Sequence, residues 1–347
     1  MNESTAPPSR ALKAEAALAS ERRNPEFKMS VESSSTGCPH TLRHHTPLVL
    51  RTKPWSLAIA RVIVVAAHVS AQRAAPAPIR QIDHVMIRTD APRELYAFFT
   101  DVLQLPVAWP LMSPRPGVST GGVAFGNVNV EAIQVPAQKD KAPRLLGFAF
   151  EPSPLDQCLA ELDRRGITYG ERRPLVLTGP DGSRSVQWTN VTLRQFSDSD
   201  GPGDGTMHIF LSEYSPTYVD VGQRRARLRK ELAESSGGPL GVVAVKEIVV
   251  GVADLEAARR LWQKLLDPVR PFTPDAWQVG DGPGIRLVRA RENATRTLVV
   301  SVASLPKAKS FLRGRGLLGS ESEEAASIDP SKIGGLDIRL VGAQSAR

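Results

Sequence analysis

The stretch Ile82-Asp83-His84-Val85-Met86-Ile87 opens a pattern that the chain repeats four times and that decides the fold. In each copy a short β-strand is followed by an acidic or Ser/Pro helix start, a helix and further strands. The other copies begin at Leu146-Gly147-Phe148-Ala149-Phe150, Lys246-Glu247-Ile248-Val249-Val250 and Thr297-Leu298-Val299-Val300. Each predicted helix has apolar residues at i, i+3 and i+4, one stripe of the 3.6-residue helical period. Repetition of a unit of this size predicts a fold built by duplication.

The opening Asp83-His84-Val85 and the later strand Gly126-Asn127-Val128-Asn129-Val130-Glu131 resemble the vicinal oxygen chelate superfamily. That group includes glyoxalases, bleomycin-resistance proteins and extradiol dioxygenases. The resemblance covers residues 80–342 and implies an α+β fold. Four βαβββ units would pair into two glyoxalase-like half-barrel cups, with a metal ion or ligand inside. It does not select a reaction, because one fold hosts many functions.

Five segments are predicted along the chain. They are a disordered N-terminal extension (1–47), a signal peptide and linker (48–78), a first glyoxalase-like domain of two units (79–216), a linker helix (217–241) and a second, degenerate glyoxalase-like domain (242–342). The first segment mixes polar, charged and proline residues without apolar periodicity, which is typical of disorder.

The second segment has the layout of a secretory signal peptide. Basic Arg51-Thr52-Lys53 precedes an apolar run from Trp55 to Val69, which ends in the small-residue pattern Val69-Ser70-Ala71. The run is short and interrupted by Arg61, so stable membrane insertion of the mature protein is not expected. We expect cleavage after Ala71 and a periplasmic or secreted protein. Because residues 1–47 would precede the signal peptide, a translation start near Leu48 or Val49 is a further hypothesis.

The net charge of +8 overstates the basicity of the predicted mature chain. Residues 1–71 hold nine Lys/Arg and five Asp/Glu, which is half of the surplus. Much of the remainder lies between Val221 and Glu234, which we interpret as a linker helix with a solvated basic face. No aromatic or groove-reading partners accompany that face, so nucleic-acid binding is not predicted.

The resemblance implies that metal ligands lie on the first and last strands of each unit. In the first unit these positions are His84 and Glu131. The apolar alternation of Val128, Val130 and Ala132 should face the helix, so Glu131 should point into the cup with His84. An imidazole and a carboxylate suit a divalent Fe, Mn, Zn or Ni ion. Glu131 is also a candidate catalytic proton shuttle.

The second unit departs from this pattern, because Gly147 stands where the pattern has His. Its last strand allows two registers, and a slip of one residue exchanges the two faces. In the register that the alternation favours, His208 and Phe210 face the cup, and His208 becomes a candidate metal ligand. In the other, Glu213 faces the cup as a candidate ligand or proton shuttle. Only His84 and His208 follow the predicted cleavage point, which excludes a site of three imidazoles.

Further side chains are candidates for contact with a small-molecule substrate. They are Arg88, Trp109, Trp188 and Phe210. In the second domain, Arg286 and Arg339 fall where the pattern has metal-binding carboxylates. Guanidinium groups cannot bind a cation, so we expect them either to pair with Glu247 or Asp337 or to clamp a carboxylate or phosphate.

Three functions follow from these features. The first is a divalent-metal-dependent lyase, isomerase or dioxygenase acting on a small vicinal-oxygen substrate. The second is a metal-free protein of the bleomycin-resistance type that binds and sequesters a small molecule. The third is an exported interaction module whose cups bind no small molecule. A homodimer is compatible with each, although four units in one chain can already form two cups.

Overall fold

A computed structural model describes residues 77–343 apart from 137, 139, 140 and 180. The predicted N-terminal extension, signal peptide and cleavage point lie outside the described residues. Among the described residues, no helix is long and apolar enough to cross a membrane.

The first two units form one eight-stranded sheet. Unit one consists of β1 (Ile79–Arg88), α1 (Pro92–Ala97), β2 (Val107–Arg115), β3 (Val118–Ala124) and β4 (Asn129–Gln134). Unit two consists of β5 (Arg144–Pro152), α2 (Leu155–Arg164), β6 (Arg173–Thr178), β7 (Arg184–Thr192) and β8 (His208–Tyr214). The strand order is β2-β3-β4-β1-β5-β8-β7-β6, with β1 antiparallel to β5 at the centre. The two units therefore meet around a pseudo-twofold axis.

A helix, α3 (Val221–Glu234), leads to the second sheet. Unit three consists of β9 (Val242–Val252), α4 (Leu255–Leu266), β10 (Ala276–Gln278) and β11 (Gly284–Arg289). Unit four consists of β12 (Ala294–Val302), α5 (Leu305–Gly314), β13 (Leu318–Glu321), β14 (Ala325–Ile328) and β15 (Asp337–Gly342). The order is β10-β11-β9-β12-β15-β14-β13. The predicted α+β fold of paired units is confirmed; the third unit has two strands after its helix rather than three.

The helices form where the sequence supplies an apolar stripe and a start signal. Asp254 caps α4 by accepting a hydrogen bond from the backbone N–H of Ala257, and Ser304 caps α5 in the same way from Lys307. Trp262 of α4 is buried against three rings of the first domain. Its ring centroid lies 6.1, 6.4 and 5.0 Å from those of Phe148, Phe150 and Phe196. The helical sides of both sheets thus share one core.

The two central strands of each sheet carry β-bulges at matching places. In the first sheet the extra residues are Asp83 on β1 and Leu146 on β5, with a third, Arg80, near the start of β1. In the second sheet they are Lys246 on β9 and Arg296 on β12, with a third, Val243, near the start of β9. A bulge breaks the strict alternation of faces and re-aims side chains. The bulges therefore decide which neighbouring side chains can share the inside of a cup.

Candidate functional site

The concave face of the first sheet encloses a cavity of about 420 Å³, the first-cup cavity. Strands of both units and helix α3 line it. Six of the eight side chains predicted from the sequence line this cavity: His84, Trp109, Glu131, Trp188, His208 and Phe210. The alternation that predicts Glu131 to face the cup is present, since Val128, Val130 and Ala132 lie in the apolar core on the other side.

His84 lies between two carboxylates. Its Nε2 is 3.4 Å from Oε2 of Glu131, and its Nδ1 is 2.9 Å from Oδ2 of Asp83. Thr120 donates a short hydrogen bond to Oε1 of Glu131 and accepts one from Nε1 of Trp109 at 3.3 Å. Burial lowers the pKa of His84, but the hydrogen bond to Asp83 and the charge of Glu131 outweigh burial and raise it. The imidazolium form is therefore favoured.

Asp83, an extra residue at a bulge of β1, is buried, and hydrogen-bond donors surround its carboxylate. It accepts hydrogen bonds from the Tyr214 hydroxyl at 3.0 Å, from Arg224 at 2.8 Å and from Arg225 at 3.3 Å. Burial alone would raise the pKa of Asp83. The hydrogen bond with His84 and the charges of both arginines outweigh burial and hold it well below its usual range. Asp83 is thus a permanent anion that fixes the orientation of His84.

Arg224 reaches into the first-cup cavity from α3. Its guanidinium carbon lies 4.8 Å from the ring centroid of Tyr214 and 6.0 Å from that of Trp109. Its side chain is 9% exposed, so the interpretation of this helix as a solvated basic face is wrong for Arg224. The sequence missed it because its burial depends on how α3 packs against β2 and β3. A helical period alone does not contain that information.

His208 and Phe210 of β8 line the opposite wall of the cavity. Their rings stack with centroids 5.0 Å apart, and the His84 ring lies edge-on to Phe210 at 5.7 Å. Burial lowers the pKa of His208 to about 4, so this imidazole is neutral at pH 7. The strand adopts the register that the alternation favours, with His208, Phe210 and Ser212 all lining the cavity.

Gly147 cannot carry a side chain in this backbone. A Cβ atom built there would lie 1.9 Å from the carbonyl oxygen of His208, far inside van der Waals contact. The two strands approach closely at this point, where Gly147 pairs with His208. The departure from the superfamily pattern is therefore built into the backbone and is more than a change of residue.

Two predicted residues lie elsewhere. Glu213 points away from the cavity and accepts a hydrogen bond from the backbone N–H of Leu155 at 2.7 Å, at the start of α2. Arg88 is buried, and its guanidinium donates to the carbonyl oxygens of Pro202, Gly203 and Gly205 at 3.1–3.2 Å. Neither side chain lines the first-cup cavity. Arg88 instead binds the loop that follows β7.

A divalent ion would find two neighbouring donors here, Nε2 of His84 and the carboxylate of Glu131. The part of the chain that the structure describes contains no group of three or more His, Cys, Asp and Glu that could hold a metal ion. Gly147 and Phe210 offer no ligand atom, and the cation Arg224 lines the same cavity. Protein sites for transition metals commonly use three or four protein ligands. The side chains of this cup therefore do not fit a resident metal ion.

Three buried polar atoms that line this cavity have no hydrogen-bond partner. They are Nε of Arg224, Nδ1 of His208 and Oδ1 of Asn190. Buried polar atoms in folded proteins are nearly always satisfied, so each such atom needs an explanation. All three belong to residues that line the cavity, but the atoms themselves lie buried in its wall.

No model of a known protein family matches the sequence, and no curated protein matches it. Among solved structures, a triple mutant of 4-hydroxymandelate synthase from Streptomyces coelicolor is similar, with 11% identity and a TM-score of 0.50. The match covers 78% of this chain and 94% of that one. At this identity the match shows that the two chains share a fold, as the sequence predicts.

Two other solved structures are similar at TM-scores of 0.47. The Mn(II)-bound glyoxalase from Novosphingobium aromaticivorans shares 14% identity, over 77% of this chain and 83% of that one. Homoprotocatechuate 2,3-dioxygenase from Brevibacterium fuscum, in complex with 3,4-dihydroxyphenylacetate, shares 15% identity over 78% and 83%. At such identities the function has to be argued from the site itself.

Proposed function

We propose that the first cup binds and sequesters a small, flat, mostly apolar molecule without a metal ion. The observation that carries this proposal is the aromatic-walled cavity itself, in a part of the chain whose described residues bring no three potential metal ligands together. A cavity of about 420 Å³ is within the range of small-molecule sites, which are mostly apolar with a few polar groups that fix orientation.

The walls define the shape of the ligand. Trp109, Trp188, Phe210, Tyr214 and Tyr218 line the cavity and favour a planar body, since aromatic rings pack offset or edge to face. The polar lining residues indicate its functional groups. The Arg224 guanidinium donates and suits a carbonyl-type oxygen, whereas the Asn190 side chain can also accept and suits a hydroxyl or amine.

The competing function is that of a divalent-metal-dependent enzyme in which His84 and Glu131 hold the ion. It is supported by the 3.4 Å between their Nε2 and Oε2 atoms in the cavity. Elemental analysis of the purified protein separates the two functions. Near one equivalent of Fe, Mn, Zn or Ni that is lost in His84→Ala would overturn the metal-free proposal.

Binding is tested with a panel of one- and two-ring aromatic compounds that carry a hydroxyl or carbonyl group. Tryptophan fluorescence and thermal shift report binding, with and without EDTA. We expect at least one saturable ligand whose affinity EDTA leaves unchanged. Trp188→Ala should weaken it about tenfold or more, as loss of an aromatic contact residue often does.

Phe272→Ala is the matched control. Phe272 is 63% exposed, lies in the second domain and does not line the first-cup cavity, so ligand affinity should not change. Equal losses in Trp188→Ala and Phe272→Ala would contradict a specific site. Absence of any saturable ligand across the panel would favour the interaction-module function.

Export remains part of the proposal and is supported by the sequence from Arg51 to Ala71. N-terminal sequencing of the protein isolated from its source should give a chain that begins at Gln72. A chain that retains Trp55 to Val69 would contradict it. Light scattering would establish whether the chain forms a homodimer.

A further inference from the structure

The second cup has an open cleft of about 870 Å³, the second-cup cleft, that differs from the first-cup cavity in its chemistry. Strands β9, β11, β12 and β15 form its floor, and the segment before β5 forms one side. Its lining contains five cations, namely Lys141, Arg144, Arg286, Arg296 and Arg339. The carboxylates in its lining are Glu292 and Asp337. The cleft is therefore predominantly basic.

The bulge on β12 gathers side chains into this cleft. Arg296 and Thr297 are consecutive, and both line it. A regular strand would direct one of them to the other face of the sheet. Because Arg296 is the extra residue of the bulge, it lies on the same face as Thr297. At the matching position of the first sheet, Leu146 is buried in an apolar cluster with Met86 and Ala149.

Three of the cleft arginines are in ion pairs. Arg286 binds Glu247 at 2.8 Å, Arg339 binds Asp337 at 2.8 Å, and Arg296 lies 4.0 Å from Glu292. With Lys141 and Arg144 also in the lining, cations still outnumber carboxylates. The Arg339 side chain is 57% exposed, and exposed pairs of this kind contribute little to stability. A guanidinium in such a pair can turn towards an anionic ligand without a large penalty.

We propose that the second-cup cleft binds a small molecule bearing an oxyanion, a phosphate or a carboxylate, through Arg296 and Arg339. Guanidinium groups match both anions with paired N–H donors. The proposed site uses no residue of the first-cup cavity. A negative result at one site would therefore leave the other proposal unaffected.

The test is isothermal titration of the full chain with sodium phosphate and, in a second arm, sodium succinate. Sodium chloride at matched ionic strength is the reference for both. We expect saturable binding in at least one arm, and the arm identifies the anion. Arg296→Gln and Arg339→Gln should each weaken it about tenfold, because each removes a charged hydrogen-bond donor.

Arg270→Gln is the matched control, since Arg270 is 78% exposed and does not line the cleft. Its affinity should equal that of the unchanged protein. Arg296 and Arg339 are both well exposed, so circular dichroism should show folded variants. No saturable binding in either arm, or affinities unchanged in both cleft arginine variants, would overturn the proposal.

Discussion

The two cups share one strand plan but place opposite chemistry at its centre. At the first bulge the first cup buries Asp83, whereas the second cup exposes Lys246 at the matching position. At the second bulge the first cup buries Leu146, whereas the second cup aims Arg296 into an open cleft. The backbone thus provides the same positions twice, and the residues at the bulges give the two cups different chemistry there.

The comparison extends to the position next to the second bulge. Gly147 in the first cup corresponds to Thr297 in the second, since each pairs with the last strand of its unit. The hydroxyl of Thr297 donates to Asp337 at 2.7 Å, whereas a Cβ at Gly147 would meet backbone. In the first cup the backbone of β8 occupies the space that a side chain at Gly147 would need. In the second cup the matching position holds a threonine side chain.

The largest expected difference in stability is between substitutions at Asp83 and at Lys246, the matching bulge residues of β1 and β9. Asp83→Asn leaves Arg224 and Arg225 without their buried anion and should reduce the free energy of unfolding by about 3–5 kcal/mol. Lys246→Ala should change it by less than about 0.5 kcal/mol, because Lys246 is exposed. Urea unfolding of both variants measures the difference. Similar losses in the two would mean that the bulges are held in the same way.

The second prediction compares the matched small residues. Gly147→Ala forces Cβ against the His208 carbonyl and should reduce the free energy of unfolding by about 3 kcal/mol, a typical loss for overpacking. Thr297→Ala removes one hydrogen bond and should cost about 1 kcal/mol. The same urea series measures both. A tolerated Gly147→Ala would show that the strands can separate and that a ligand could be engineered there.

The sequence predicts what depends on local period. The helical stripes give the four units, and strand alternation places Glu131 and His84 on one face because β4 pairs with β1 without a bulge. The bulge at Asp83 is not predictable in this way, since it exists only relative to the register of β5. The burial of Arg224 is equally non-local. The sequence therefore predicts the strand-borne candidates and misses the side chain that the linker helix supplies.

The third prediction concerns pH and belongs to the first cup alone, because residues 242–342 contain no histidine. His208 has a pKa of about 4 in the folded chain and about 6.5 unfolded, so the unfolded chain binds more protons between these values. The free energy of unfolding should therefore rise by about 3 kcal/mol as pH rises from 4 to 6.5. His84, whose pKa is raised, should lower it again as pH rises above 6.5.

Urea unfolding at pH 4.5, 6.5 and 8.5 separates the two imidazoles. His208→Phe should flatten the acidic side of the profile, since a phenyl ring can stack on Phe210 without titrating. His84→Gln should flatten the alkaline side. An unchanged acidic slope in His208→Phe would mean that the imidazole is solvated and that the cavity is wetter than its burial implies.

The smallest expected effect concerns how helices begin in the two domains. In the second domain α4 and α5 are capped by their own residues Asp254 and Ser304, whereas α2 takes its cap from Glu213 on the neighbouring strand. Glu213→Ala should reduce the free energy of unfolding by about 1 kcal/mol, as loss of a cap does, and Asp254→Ala should match it. Glu213→Gln should retain most of the stability, because the amide oxygen still accepts from Leu155.

Ligand affinity in the first cup should be the same in all three variants, since Glu213 points away from the cavity. A loss of affinity in Glu213→Ala at unchanged stability would restore Glu213 as a site residue.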